Sequence, residues 1–164
     1  MDDFITVVVR GCVPDHKHEL ALPGNASRVC GAWVEVLPDL LGSGTNTTLS
    51  SAIKAFAVSI LSGGPVRTAP MSMGLEAKSL ALTSLRKALR VAGKTYSDEL
   101  AATVMCVLFS ELFIPTTLRS WVAHLEGFVH VMQLSQPELY ISGRSHKLFI
   151  GARPSMVRSA RWPI

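Results

Sequence analysis

"SDELAATVMCVLFSELF", residues 97–113, is the stretch that decides the fold class. Its apolar side chains fall on nearly all sides of a helix, which is typical of a helix enclosed by other helices. Thr95 to Asp98 has the spacing of a capping box, Asp98 and Glu99 supply first-turn negative charge, and Pro115 closes the helix. The sequence therefore predicts an all-α protein, an irregular multi-helix bundle around this central segment.

Two amphipathic helices are expected before it. Thr47 or Thr48 can cap the first, which Gly63-Gly64-Pro65 should end, and its apolar stripe consists of Leu49, Ile53, Phe56 and Ile60. The second should start near Ser72 and end at Gly93, a position that favours a C-cap glycine. We expect its apolar face to contain Leu75, Leu82, Leu85 and Leu89.

After the central helix, Thr116 or Thr117 can cap a helix whose stripe contains Trp121, Leu125, Phe128, Val129 and Met132. Gly127 inside this helix costs about 1 kcal/mol relative to Ala, which suggests the close approach of another backbone. A short segment is expected from Ser135 to Gly143, and a last amphipathic piece from about residue 145 to 151.

The N-terminal part has no convincing helical period. "FITVVV", residues 4–9, resembles a β-strand in composition, and His, Pro and Gly residues follow it. We divide the chain into a partly irregular, poorly structured N-terminal segment, residues 1–41, a helical domain, residues 42–152, and a basic tail, residues 153–164. From Gly143 onward all charged residues are basic, and we interpret the tail with Trp162 as solvated and frayed, the alternative being contact with nucleic acid or an acidic partner.

Composition indicates one folded domain without a membrane span. The chain has 164 residues, and its longest uncharged helical run, Leu100 to Ser110, is about half of the ~20 residues that a bilayer span requires. The acidic start "MDD" does not fit a signal peptide, so we expect a protein that is not secreted and whose three cysteines stay reduced.

"ALRVAGKT", Ala88 to Thr95, fits the relaxed phosphate-loop pattern. A functional loop of this kind follows a strand and opens a helix, so that backbone N–H groups face the phosphate. Here the residues before Gly93 belong to a helical pattern. We interpret the motif as a junction between two helices, and no cofactor is expected.

The candidate metal ligands do not have the spacing of a known site. Cys12, His16, His18 and Cys30 are not arranged as close pairs on turns, so we interpret them as loop histidines and a partly buried cysteine. No metal-binding residue is assigned.

The Trp121 helix carries His124, Glu126 and His130. The two histidines lie six residues apart, which places them about 240° apart around a helix, so they cannot share a metal ion within it. His124 lies beside the apolar stripe and is expected to form a hydrogen bond with a neighbouring helix. No catalytic residue is assigned.

Glu111 is the most interesting polar residue, because it is an acid at the end of an apolar helix and buried acids need a partner. Arg119 and Arg86 are the candidate partners. A structural ion pair is favoured over ligand recognition.

Six segments together resemble the regulatory region of fungal zinc-cluster transcription factors. The resemblance runs from about residue 29 to residue 153 and rests on order and spacing, in "CGAWVEVLPDLL", "LSSAIKAFAVSIL", "ALTSLRKAL", "SDELAATVMCVLFSELF", "SWVAHLEGFVHVMQLSQPE" and "SGRSHKLFIGAR". It implies a nuclear, non-enzymatic regulator of transcription, working through protein contacts, a homodimer or an effector, and tied to a biosynthetic pathway. The alternative is an accessory enzyme or small-molecule-binding helical protein, in the nucleus or cytoplasm.

The chain departs from that family in two respects. It contains no Cys-x-x-Cys pair of the six-cysteine zinc cluster, so no DNA-binding residue is assigned and no sequence-specific DNA binding is expected. It also stops early, which should leave apolar side chains uncovered, with Leu148, Phe149, Ile150, Met156 and Val157 as candidates. We therefore expect a dimer through the C-terminal segment or poor solubility.

Overall fold

The structure is a computed structural model that describes residues 2–12, 33–42, 46–65, 67–92, 95–117 and 119–159. Within these ranges it is helical and contains no β-strand, which confirms the predicted all-α fold. In chain order the helices are α1 Asp2–Cys12, α2 Leu37–Gly42, α3 Thr47–Gly63, α4 Met71–Ala92, α5 Asp98–Phe113, α6 Ser120–Met132, a 3-10 helix Pro137–Tyr140, and α7 Gly143–Ser159.

Helix α5 is the centre of the bundle, as its all-round apolar sequence predicts. All its residues from 101 to 111 are buried, and it packs against α3, α4, α6 and α7. The Ser97 hydroxyl caps it by accepting the Leu100 N–H at 3.1 Å. The capping-box spacing favours Thr95 as the cap of this helix, but the residue that caps it is Ser97.

Helix α3 has the predicted stripe and the predicted end. Leu49, Ile53 and Phe56 are buried, and the helix ends at Gly63. Its cap is Asn46, one residue before the predicted threonines, whose Oδ1 accepts the Leu49 N–H at 3.0 Å. Asparagine and threonine side chains compete for the same N–H groups, and here the earlier residue makes the bond.

Helix α4 buries small residues together with Leu85, one of the four predicted leucines. Its buried face contains Gly74, Ala77, Lys78, Ala81 and Leu85. Two residues of the predicted leucine face, Leu75 and Leu89, are 44% and 40% exposed, so that prediction is wrong for them. The cause is close packing, because a Cβ at Gly74 would lie 2.1 Å from Ile114 Cδ1.

Helix α1 replaces the β-like run that composition indicated for residues 4–9, and the strand-like interpretation is wrong. Val8 and Cys12 are buried four residues apart, and α1 packs against α3. β-branched residues form helices when one face can be buried, because tertiary packing outweighs a propensity difference of less than about 1 kcal/mol per residue.

Trp33 lies in the centre of the core. Its ring stacks on Phe56 at 6.0 Å and on Phe109 at 5.4 Å between ring centroids. A Cβ at Gly151 of α7 would lie 2.6 Å from Trp33 Cδ1, so α7 passes close to the indole. Residues before position 42 thus share one hydrophobic core with the helices that follow.

Helix α6 has most of the predicted stripe, with Leu125, Phe128 and Met132 buried. The predicted close backbone approach at Gly127 is wrong, since a Cβ added there would meet nothing within 4 Å. The Thr117 hydroxyl accepts the Ser120 N–H at 3.1 Å, which agrees with the predicted threonine at this helix start.

Helix α7 starts at Gly143, whose φ of 78° suits glycine, and continues to Ser159, past the predicted end at residue 151. Leu148 is fully buried and Phe149 and Met156 are partly buried, so the predicted exposure holds only for Ile150 at 37%. The side chain of Val157 and residues 160–164, including Trp162, lie outside the described residues.

No helix in the described ranges is both long and apolar enough to cross a bilayer.

Candidate ligand-binding groove and buried charge cluster

Glu111 lies where the buried part of α5 ends, and its side chain is 2% exposed. The buried partner is Lys78 of α4, also 2% exposed, whose Nζ donates to Glu111 Oε1 at 2.6 Å and to the Ile114 carbonyl oxygen at 2.7 Å. The predicted partners, Arg86 and Arg119, are exposed, so that part of the prediction is wrong. The favoured structural ion pair is present, with a different base.

The other carboxylate oxygen of Glu111 accepts the Thr116 N–H at 2.9 Å. Thr116 Oγ1 lies 3.0 and 3.1 Å from the two carboxylate oxygens and 2.7 Å from Ser120 Oγ. His124 Nε2 of α6 lies 3.6 Å from Glu111 Oε1, so His124 does contact a neighbouring helix, but the distance is too long for the predicted hydrogen bond. The cluster therefore joins α4, the end of α5 and the start of α6.

Two pKa values in the cluster are shifted. Burial alone would raise the pKa of Glu111, but the Lys78 ammonium and the hydrogen bonds from Thr116 outweigh it and hold this pKa below the ordinary value. Burial lowers the pKa of His124, and Lys78 lowers it further, although Glu111 opposes both. The carboxylate is thus charged and the imidazole neutral at neutral pH.

This arrangement is suited to holding helices together. Both carboxylate oxygens of Glu111 accept hydrogen bonds from the protein, and Lys78 donates to a carboxylate and a carbonyl. A buried pair held in this way fixes the relative position of its helices. Sequence reasoning misses Lys78, because its spacing of three from Leu75 relates it to a leucine that is itself exposed.

The other sequence candidates do not assemble into a site. His130 and Glu126 are exposed on α6, away from the Glu111 cluster. Cys12 is buried in the core, while His16, His18 and Cys30 lie outside the described residues. Within the described ranges, no group of three His, Cys, Asp or Glu residues could hold a metal ion.

The phosphate-loop motif has a helix where a functional loop would have a strand. Residues 88–92 form the last turn of α4, and α5 starts only at Asp98. Gly93 and Lys94 lie outside the described residues. The helical flank agrees with the interpretation of this motif as a helix junction.

A groove of about 620 Å³ lies between α6, the 3-10 helix and α7. Among the described residues, nine line it, most of them apolar: Val129, Met132, Gln133, Ser135, Pro137, Tyr140, Ile141, Phe149 and Met156. None of the nine is charged. Its size lies within the range of about 300–1,000 Å³ that is usual for small-molecule sites.

The aromatic wall of the groove is held in place by hydrogen bonds and stacking. Tyr140 and Phe149 stack with centroids 5.7 Å apart and an angle of 27° between the rings. The Tyr140 hydroxyl donates to the Met132 carbonyl oxygen at 2.6 Å, and Tyr96 meets the Tyr140 ring edge-on at 5.8 Å. Burial raises the pKa of Tyr140, so this hydroxyl stays protonated.

The basic residues at the start of α7 pair with acids outside the groove. Arg144 Nε lies 3.5 Å from Asp98 Oδ2, and Lys147 Nζ donates to Glu35 Oε2 at 3.0 Å. Neither base lines the groove. Glu111 and His124 are not among the described lining residues of the groove.

The sequence predicts individual helices on either side of the groove but not the groove itself. Val129 and Met132 belong to the predicted stripe of α6, and Phe149 and Met156 to the apolar residues expected to be uncovered. Their convergence depends on how α7 folds back on α6, which no local pattern indicates.

Comparison of the chain with protein-family models, curated proteins and solved structures gives no match.

Proposed function

We propose that this chain is a helical regulatory module of the fungal zinc-cluster transcription factor type, without the DNA-binding cluster, which works by binding and not by catalysis. The observation that carries the proposal is the uncharged groove between α6, the 3-10 helix and α7. Six of its nine described lining residues come from two of the segments that carry the resemblance, "SWVAHLEGFVHVMQLSQPE" and "SGRSHKLFIGAR". A regulatory module of this kind would act in the nucleus on genes of a biosynthetic pathway.

The state of the Glu111 cluster also favours binding over catalysis. A catalytic carboxylate needs access to a substrate, whereas Glu111 is buried and is occupied by Lys78 and Thr116. His124 contacts the same carboxylate instead of a nucleophile in the groove.

The protein partner in this proposal is a second copy of the chain, bound through α4. Leu75 and Leu89 are exposed and lie seven residues on either side of Leu82, which is partly buried against the chain's own core, so two antiparallel copies of α4 can pair Leu75 with Leu89. Exposed Glu76 lies near one end, and the exposed bases Arg86, Lys87 and Arg90 lie near the other. An antiparallel pair brings opposite charges together and separates like charges.

A reporter assay tests the regulatory function. The chain is fused to an unrelated DNA-binding domain in a fungal reporter strain, with Val129→Trp to fill the groove and Val122→Trp, an exposed valine of the same helix, as the control. We expect reporter output to differ from that of the DNA-binding domain alone, and to change with Val129→Trp but not with the control. Output equal to that of the DNA-binding domain, at equal protein level, would overturn the proposal.

The isolated chain should not bind DNA in a sequence-specific way. Contacts through its basic C-terminal residues would be electrostatic, and such contacts weaken steeply as salt rises. A fluorescence titration against a pool of duplexes should show no binding that is both selective and salt-resistant.

The same groove supports a second candidate, an accessory enzyme or carrier for an apolar small molecule. A carrier would bind a pathway intermediate and leave reporter output unchanged. Turnover of such an intermediate by the purified chain, lost in Val129→Trp, would establish an enzyme instead.

A further inference from the structure

We propose that the groove binds a neutral, largely apolar small molecule with a flat ring system and a single polar group at one end. This inference rests on the proposed binding function and names the ligand class. It follows from four properties of the described lining, which are its lack of charge, its aromatic wall, its two methionines and the position of its polar residues.

The described lining residues carry no charge, and such a lining selects a neutral ligand. A carboxylate, sulfonate or phosphate would lose its hydration in the groove without gaining a counterion, which is strongly unfavourable. Arg144 and Lys147 are engaged by Asp98 and Glu35 outside the groove. Free fatty acids and nucleotides are therefore poor ligands.

The aromatic wall selects a flat ring. Phe149 and Tyr140 stack on each other, and the hydrogen bond from the Tyr140 hydroxyl to the Met132 carbonyl fixes the position of the Tyr140 ring. An offset ring-on-ring contact is favourable beyond the apolar area that it buries. Because the wall is already ordered, binding a ring to it loses little side-chain entropy.

The rest of the lining accommodates variation in ligand shape. Met132 and Met156 are unbranched and polarisable, and thioethers pack well against aromatic rings. Of the two polar lining residues Gln133 and Ser135, Gln133 is exposed and presents an amide at the rim. One hydroxyl, carbonyl or amide on the ligand can pair with Gln133.

Two dyes with the same carbon skeleton test this inference directly. N-phenylnaphthylamine is neutral, and anilinonaphthalene sulfonate is the same ring system carrying a sulfonate. Fluorescence titrations with the full chain at low protein concentration give a Kd for each dye. Val129→Trp is compared with Val122→Trp, and circular dichroism checks that both variants fold.

We expect saturable binding of the neutral dye, with the sulfonate at least about tenfold weaker. Val129→Trp should weaken the neutral dye by about tenfold or more, and Val122→Trp by less than about twofold. If Val129→Trp does not fold, Gln133→Lys serves instead, because a cation at the exposed rim should strengthen binding of the sulfonate selectively.

Three results would overturn the inference. Equal affinity for the two dyes would show that charge does not select the ligand. Dye binding unaffected by both Val129→Trp and Gln133→Lys would place the dye elsewhere, for example on the exposed leucines of α4. Loss of binding as the protein is concentrated would show that a second copy covers the groove. None of these results determines the outcome of the reporter assay, so failure of this inference can be told apart from failure of the proposed function.

Discussion

At the scale of single residues, the buried pair Lys78 and Glu111 is the strongest constraint. Sequence reasoning identifies Glu111, because an acid in an apolar helix is conspicuous. It misses Lys78, because α4 carries four basic residues and a helical pattern alone does not show which of them is buried. Which base is buried depends on where α5 ends, because the carbonyl of Ile114, the residue after this helix, is the second acceptor for Lys78.

Replacing Lys78 by Met should destabilise the fold strongly. The change leaves the Glu111 carboxylate buried without its cation, and breaking a buried pair from one side costs about 3–5 kcal/mol. Lys87→Met on the exposed face of α4 is the control and should change stability by less than about 0.5 kcal/mol. Urea unfolding followed by circular dichroism measures both, and equal effects would contradict the role of the pair.

Replacing His124 by Gln should flatten the pH dependence of stability. The pKa of His124 in the folded chain lies below its ordinary 6.5, so the unfolded chain takes up a proton first and stability falls as pH drops below about 6.5. The variant should lose less stability in that window than the unmodified chain. His130→Gln, which replaces an exposed histidine on the same helix, is the control, and an identical loss of slope in both variants would argue against the assignment.

A second pH effect belongs to Glu111. Its pKa is lowered on folding, so its contribution to stability is present above the ordinary 4.5 and is lost as pH falls through the folded value.

At the scale of helices, close packing explains where sequence patterns succeed and fail. The stripe of α3 and most of the stripe of α6 consist of large apolar residues and are predicted correctly. The buried face of α4 contains Gly74, Ala77 and Ala81 beside Leu85, and at Gly74 even a Cβ would lie 2.1 Å from Ile114 Cδ1. A pattern based on hydrophobicity ranks Leu above Gly and Ala, so it includes the exposed Leu75 and Leu89 and omits the small residues that are buried.

Two glycines in helix interiors should respond in opposite ways to Ala. Gly127 of α6 has open space where a Cβ would lie, so Gly127→Ala should stabilise by up to about 1 kcal/mol through helix propensity. Gly151→Ala in α7 would push a Cβ to 2.6 Å from the Trp33 ring, and overpacking of this kind costs about 1–3 kcal/mol. Thermal unfolding compares them, and stabilisation by both changes would show that α7 does not approach Trp33 so closely.

At the scale of the whole molecule, the sequence predicts the all-helical class and the central position of α5. It does not predict the groove, because the groove depends on how α6 and α7 meet at the 3-10 helix. It also places the uncovered apolar surface at the C-terminal segment, whereas Leu148 is buried and much of the exposed apolar surface lies on α4. Chain topology decides these features, and local periodicity does not encode it.

Self-association through α4 should be abolished by two charges. Leu75→Lys with Leu89→Lys places like charges in an antiparallel interface, and we expect the dimer to dissociate to a monomer in light scattering. The control pair, Leu112→Lys with Leu139→Lys, changes two other exposed leucines and should leave the dimer intact. A monomer before any substitution would contradict the second-copy proposal.

Methyl NMR of the methionines tests the central claim, that this chain works by binding a neutral ligand in its groove, most directly. Met132 and Met156 line the groove, whereas Met71 and Met73 are exposed on α4 and serve as internal controls. Titration with N-phenylnaphthylamine should shift the Met132 and Met156 methyl signals in a saturable way and leave those of Met71 and Met73 in place. Shifts confined to Met71 and Met73, or no shift at saturating dye, would contradict the account.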